Sequence, residues 1–146
     1  MTGRLLGIAR AASLGAPLEV VREATVTVDM GIDGDARGSK PLRQVTVLFR
    51  EGWDDACREV GVNLPWITRR ANLLVEGIDR PREAGGRLVI GEIVLDVVQE
   101  TEPCHLMERA QAGLRKALTS DWRGGVCCKV LVGGRISTGD AVEFAR

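Results

Sequence analysis

Apolar and polar side chains alternate along much of this chain, which is typical of half-buried β-strands. The alternation and the β-branched residues predict strands over 4–10, 19–31, 43–49 and 72–79, a hairpin over 85–99, and strands over 125–144 interrupted by "TGD". Two segments, 51–61 and 103–118, instead place apolar residues three to four positions apart, which predicts amphipathic helices, the first closed by Gly61.

The balance of these elements predicts the fold class. About seven or eight short strands outnumber two helices and do not alternate with them regularly. We therefore expect a mostly β fold, a closed or curled β-barrel, mostly antiparallel, with peripheral short helices.

Composition and charge argue against some classes of function, namely nucleic-acid binding and membrane association. The 146 residues suit a single domain over 1–146, and 20 basic side chains balance 20 acidic ones. This neutrality and the scarcity of aromatic residues argue against nucleic acid as a partner, since charge and base stacking dominate such binding. No apolar run reaches membrane-spanning length, and no secretory leader is evident, so we expect no membrane partner and a cytoplasmic location.

The chain has four cysteines, Cys57, Cys104, Cys127 and Cys128. Without an export signal or high cysteine density, we expect free thiols. No CxxC pair exists and there is one histidine, which argues against structural zinc. Cys57 lies on the apolar stripe of a predicted helix, and a strand would point Cys127 and Cys128 to opposite faces.

Cys104 is the candidate reactive residue. Pro103 suits the first position of a helix, which would place Cys104 in the first turn, where free N–H groups and the helix dipole favour a thiolate. His105 is not an i, i+4 partner of Cys104, so a Cys–His dyad is doubtful. The alternative is an ordinary half-buried thiol beside a solvated histidine.

Basic residues form a second candidate group. They lie in "GDARGSKPLRQ", "TRRANL" and "DWRGG": Arg37, Lys40, Arg43, Arg69, Arg70 and Arg123. A glycine-rich loop and paired guanidinium groups suit an anionic ligand, although each charge taken alone could simply be solvated. Asp140 in "STGD" is interpreted as a turn residue that caps local N–H groups.

Five segments in order resemble the MOSC domain family, named after the C-terminal domain of molybdenum cofactor sulfurases. They are "GIDGDARG…RQVTVL" (31–48), "RRANLLVEGID" (69–79), "RLVIGEIVLDV" (87–97), "EPCHLM" (102–107) and "GGVCCKVLVGGRISTGDAV" (124–142). The family fold is a β-rich barrel with peripheral helices.

The resemblance implies site residues and a cofactor. Cys104 matches the family cysteine that ligates molybdenum or carries a persulfide. Arg70 and Asn72 match residues expected to line the pocket of the molybdenum cofactor (molybdopterin), Arg70 facing the pterin phosphate. Gly34 and Asp35 match the family "GD". We add the candidate cofactor-binding residues Arg37, Arg43 and Arg123.

The chain departs from the family in two ways. Ala36 and Arg37 stand where many relatives have a histidine shortly after "GD", so the role of that histidine is absent or taken by Arg37. Larger members also carry a pyridoxal-phosphate desulfurase domain, for which this chain has no room.

Three functions follow as hypotheses. The first is a molybdenum-cofactor-binding reductase of N-hydroxylated or N-oxide substrates that takes electrons from a separate partner. The second is a metal-free sulfur carrier with a persulfide on Cys104, supplied by a separate cysteine desulfurase. The third is a non-catalytic binding module.

Overall fold

The computed structural model describes residues 2–146 and is mostly β. The strands are β1 (Gly3–Arg10), β2 (Glu19–Val21), β3 (Glu23–Thr27), β4 (Gly31–Ile32), β5 (Val45–Phe49), β6 (Leu73–Glu76), β7 (Arg87–Ile90), β8 (Ile93–Glu100), β9 (Val126–Val132), β10 (Gly134–Ser137) and β11 (Ala141–Ala145). The α-helices are α1 (Arg50–Val60), α2 (His105–Ala110) and α3 (Leu114–Thr119), and 3-10 turns span Trp66–Arg69 and Ser120–Trp122.

Seven strands close into a barrel. Their order is β1, β11, β7, β8, β9, β5, β6 and back to β1, with β2 added beside β1, and β10, β3 and β4 forming a second small sheet. The pair Gly3↔Val142 lies at the β1–β11 junction that closes the ring.

One pair in the ring, β5–β6, is parallel, with Val47 opposite Leu73, and the other pairs are antiparallel. An odd number of strands cannot alternate direction around a closed ring, so a parallel pair is required. Parallel neighbours need a crossover connection. Helix α1 and the 3-10 turn over Trp66–Arg69 provide it, which brings "RRAN" back to the barrel at the start of β6.

Two apolar layers hold the fold together. The interior of the barrel is filled by alternate residues of its strands, including Leu5, Val47 and Leu73. Their strand neighbours Leu48 and Leu74 point outward into a second cluster, which is completed by helices α1, α2 and α3. Because successive residues of a strand point to opposite faces, each of these strands contributes side chains to both layers.

Most predicted elements are confirmed, including the 85–99 hairpin and Gly61, whose φ of 74° ends α1. The prediction of one strand over 19–31 is wrong, because β2, β3 and β4 divide that segment between two sheets.

The single helix predicted over 103–118 is also wrong. It divides into α2 and α3 around Gly113, whose φ of 86° no right-handed helix allows. The four-residue spacing of Leu106, Ala110, Leu114 and Leu118 predicts one buried stripe along this helix. The stripe fails at its start, since Leu106 and Ala110 are exposed and Met107 is buried in their place. Within the described chain, no helix has the length and apolarity needed to cross a membrane.

Candidate functional site

Three neighbouring cavities share one residue, Arg43, which precedes β5. A cavity of about 380 Å³ is lined by Leu14, Ala36, Arg37, Ser39, Lys40 and Arg43. A second, of about 320 Å³, is lined by Arg43, Gln99, Glu100 and Glu102. A small recess lies against Arg43, Thr46, Val47, Arg69, Arg70, Ala71, Thr101 and Gly124. The barrel therefore brings two distant basic segments, 37–43 and 69–70, towards one region, together with the backbone at Gly124.

A buried ion pair supports one wall of this region. Asp35 accepts hydrogen bonds at Oδ1 from the backbone N–H of Ala11 (2.8 Å) and from Nε of Arg37 (3.0 Å). Nη1 of Arg37 donates to the carbonyl of Arg70 at 2.6 Å. Two atoms of the pair, Oδ2 of Asp35 and Nη2 of Arg37, are buried without a hydrogen-bond partner within residues 2–146. Buried polar groups are normally satisfied, so these two atoms mark a place where a polar partner is missing.

Arg69 is the most perturbed cation of the region. Its side chain is 7% exposed, and it donates from Nη2 to the carbonyl of Thr101 (2.8 Å) and from Nε to the carbonyl of Gly124 (3.1 Å). Burial and, secondarily, the positive charge of Arg43 lower the pKa of Arg69 to about 10, and the nearby carboxylate of Glu100 opposes this shift. In the described chain no carboxylate lies within salt-bridge distance of this guanidinium. Arg69 is thus a buried cation suited to an anion.

Cys104 lies at the position that precedes helix α2, three residues after Thr101, whose carbonyl binds Arg69. Its φ of −114° and ψ of −176° are extended, so it caps the helix instead of occupying the first turn as predicted. Since α2 has only six residues, the expected stabilisation by a helix dipole is weak. His105 is exposed.

The other three thiols are buried. Cys128 belongs to the barrel interior, where burial raises its pKa strongly. Cys127 points the other way, with its Sγ 3.3 Å from Oγ1 of Thr101, so the prediction of opposite faces is confirmed. Burial also raises the pKa of Cys57, which packs in the helical layer. All four cysteines are free thiols.

Arg70 and Asn72, adjacent in "RRAN", lie in different environments. Arg70 lines the recess, has a positive φ of 63°, and donates from Nη2 to the carbonyl of Ala16 at 2.8 Å. Asn72 is 2% exposed, and its amide is bonded within the barrel to Thr46 and Ala9.

Arg123 points away from this region. Its Nη1 donates to the carbonyl of Ala117 (3.1 Å) and to Glu59 (3.2 Å), and its Nε is buried without a partner. Asp140 forms the expected turn, accepting at Oδ2 from the backbone N–H of Ser137 at 2.8 Å.

Three residues of this region, Arg69, Glu100 and Glu102, are not among the site residues that the sequence predicts. The only signal for Arg69 is the doubled arginine in "TRRANL". The two acids lie within four residues of Cys104 in "ETEPC", and this closeness in sequence is a signal that could have indicated them as site residues. A separate, larger depression of about 670 Å³ on helices α2 and α3 contains none of the candidate residues.

Comparisons with known proteins agree with this architecture. A model of the MOSC domain matches residues 34–143. The fold is similar to the YuaD protein of Bacillus subtilis (TM-score 0.80, 20% identity, 99% of this chain and 96% of that one). It is also similar to YiiM from Geobacillus stearothermophilus (0.76, 16%, 99% and 75%) and YiiM from Escherichia coli (0.71, 20%, 98% and 70%). No curated protein matches the chain in sequence.

Proposed function

The chain belongs to the MOSC domain family, and from that premise we propose that it binds the molybdenum cofactor, with Cys104 as the thiolate ligand of the metal. The family is generally associated with this cofactor. The observation that carries the proposal is that Cys104, a thiol that is not buried, follows three residues after Thr101, whose carbonyl holds Arg69, a buried cation without a carboxylate partner in the described chain.

The residues present fit such a group. A thiolate is a soft ligand that suits molybdenum, and guanidinium groups hold phosphate by paired hydrogen bonds. Arg43 makes no side-chain hydrogen bond within residues 2–146, and the unpartnered Nη2 of Arg37 lies on the same side. Arg43, Arg37 and Arg70 would hold the phosphate and pterin, whereas Arg123, also expected from the sequence to do so, is bonded to Glu59 and Ala117.

The protein chain alone offers no complete metal site. Among residues 2–146, no three His, Cys, Asp or Glu side chains gather into a set that could hold a metal ion. A metal at Cys104 would therefore need its other ligands from the cofactor itself. When bound, that cofactor supplies two-electron redox chemistry, and the protein supplies orientation and charge.

The reaction we propose is reduction of N-hydroxylated or N-oxide substrates, with electrons from a separate donor. In this scheme Arg69 keeps positive charge beside Cys104, and its two backbone carbonyl partners hold the guanidinium in place. The cavities on either side of Arg43 give room for a small molecule.

The test is to purify the protein from cells that make the cofactor, and to measure molybdenum and released pterin. The parent should carry both, and Cys104→Ala should lose most of the molybdenum. Cys57→Ala serves as the matched control, because it removes a thiol from the helical layer far from Arg43, and it should keep the parental content. A parent without molybdenum and pterin across several expression conditions would overturn the proposal.

A second candidate is a metal-free sulfur carrier, favoured by one observation. Cys104 is the only one of the four cysteines that is not buried. A carrier needs an accessible thiol, and Arg69 would stabilise the anionic persulfide. After incubation with a cysteine desulfurase and cysteine, mass spectrometry should find one added sulfur on Cys104. Equal sulfur uptake by Cys104→Ala would exclude this role.

A further inference from the structure

Two carboxylates border the candidate site and have no assigned role. Glu100 is the last residue of β8, and Glu102 follows two residues later, before Cys104. Both line the cavity of about 320 Å³ together with Gln99 and Arg43. Neither carboxylate forms a side-chain hydrogen bond or ion pair within the part of the chain that the structure describes.

The two acids differ in burial. Glu102 is exposed, whereas Glu100 is partly buried, with its backbone opposite Val126 of β9. Burial raises the pKa of Glu100, the nearby charge of Glu102 raises it further, and Arg69 opposes both. The charged groups that face Glu100 are therefore Glu102 on its own segment, Arg69 on the 3-10 turn, and Arg43 across the cavity.

Glu100 and Cys104 lie on either side of Thr101 in the sequence, the residue that binds the buried cation Arg69. The carbonyl of Thr101, which follows Glu100 directly and precedes Cys104 by three residues, accepts a hydrogen bond from Nη2 of Arg69 at 2.8 Å. A substrate in the cavity beside Arg43 would thus meet the side chain of Glu100, and Cys104 follows two residues after Glu102, which lines the same cavity.

We propose that Glu100 is the proton donor of this site and protonates the oxygen that leaves when the N–O bond of an N-hydroxylated substrate breaks. This inference rests on the proposed function. The overall reaction is R–NHOH + 2 e⁻ + 2 H⁺ → R–NH₂ + H₂O. The N–O bond breaks, an O–H bond forms with the proton from Glu100, and an N–H bond forms with a second proton from solvent. A separate one-electron reductant supplies both electrons, and solvent reprotonates Glu100.

Glu100 suits this role better than Glu102. A general acid works best when it keeps its proton near the operating pH, and partial burial beside a like charge favours the protonated form. Glu102 is exposed, whereas Glu100 is partly enclosed at the end of β8.

The test compares three variants of the cofactor-loaded protein: Glu100→Gln, Glu102→Gln and the remote control Glu143→Gln, an exposed residue on β11. Glu100→Gln should bind the parental amount of molybdenum and lose activity by about 100-fold or more, the usual contribution of a general acid. Activity is assayed with a reduced viologen dye and an N-hydroxylated purine or amidine. Glu143→Gln should match the parent.

Two further readouts do not depend on the loss of activity. Carbon-13 NMR titration of the parent should give Glu100 a pKa above the usual glutamate value, and Glu102→Gln should lower it. The alkaline limb of the kcat profile, where rate falls as Glu100 loses its proton, should move to lower pH in Glu102→Gln and vanish in Glu100→Gln.

The outcomes separate the two proposals. A loaded, active parent whose activity survives Glu100→Gln within about threefold overturns the inference and leaves cofactor binding intact. An ordinary or lowered pKa of Glu100 in the parent also overturns it. Absence of molybdenum from the parent overturns the proposed function, and the inference with it.

Discussion

Asn72→Ala separates a structural role of the "RRAN" asparagine from a ligand-binding one. Asn72 begins the approach to β6 and connects three adjacent barrel strands. Its Oδ1 accepts from the backbone N–H of Thr46 on β5 at 3.0 Å, and its Nδ2 donates to the carbonyl of Ala9 on β1 at 3.1 Å. Oγ1 of Thr46 lies 3.3 Å from the same Oδ1.

The expected magnitude follows from these contacts. Alanine leaves the N–H of Thr46 and the carbonyl of Ala9 buried without this partner, and each unsatisfied group costs about 1 to 3 kcal/mol. We therefore expect the free energy of unfolding to fall by about 2 to 5 kcal/mol. That is a large part of the total for a domain of this size, typically about 5 to 15 kcal/mol.

The assay is urea unfolding followed by tryptophan fluorescence, using the cofactor-free protein. Asn63→Ala is the matched control, because Asn63 is exposed and makes no side-chain hydrogen bond in the described chain. It should change the free energy of unfolding by less than about 0.5 kcal/mol. A loss below about 1 kcal/mol for Asn72→Ala would refute the argument that its amide holds the strands together.

The near-isosteric change Asn72→Asp adds a pH signature. One oxygen of the introduced carboxyl replaces the donor to Ala9, so its charged form is disfavoured and its pKa rises above the usual value. A raised native pKa means that stability is greatest at low pH and is lost as pH rises through that pKa. The urea midpoint should therefore lie closer to the parental midpoint at about pH 4 than at about pH 7.

Three other experiments, one labelling reaction and two substitutions, test separate features of the structure. Iodoacetamide should alkylate Cys104 alone in the native protein, giving one adduct by mass spectrometry, because the other thiols are buried. Asp121→Asn should reduce the loss of stability on acidification, since hydrogen bonding from Arg82 lowers the pKa of Asp121 and that contribution disappears as pH falls through it. Gly125→Ala should lower the free energy of unfolding by more than about 2 kcal/mol, because φ is +96° and the new Cβ would meet the carbonyl of Val47.

Each of these has a matched control. Cys104→Ala should take up no label under the same conditions, and a second rapid adduct in the parent would contradict the burial of the other thiols. Asp29→Asn removes an exposed carboxylate without an ion pair in the described chain, so its acid response should equal that of the parent. Gly139→Ala has the same φ of +96° with nothing near its Cβ, so an equal loss in both glycine variants would exclude the clash.

Local pattern determined much of the fold. The Thr–Val alternation in 43–49 and the glycine turn of the 85–99 hairpin are short-range signals, and each strand places its own side chains on two faces. The balance of strands and helices predicted the barrel, and the family resemblance agreed with it and identified the matching segments. The strand pattern and the family resemblance both depend on residues that lie close together in sequence, so they can be recognised without the fold.

The tertiary structure decided the elements whose limits depend on packing. Periodicity alone could not predict that Gly113 separates α2 from α3, since apolar residues at helical spacing occur on both sides. The segment 19–31 likewise has the pattern of one continuous strand. In the structure, however, β2 pairs with β1 while β3 pairs with β10.

The candidate site depends on contacts that no local pattern records. The sequence indicated Cys104 and the arginine-rich segments. It could not show whether Arg69 or Arg70 is the buried arginine, because the path of the crossover after α1 decides which guanidinium points into the protein. Barrel closure buries Arg69 against Thr101 and Gly124, and it leaves Arg70 at the recess. Burial and long-range pairing set the charge environment of Cys104, and they arise only when strands distant in sequence meet.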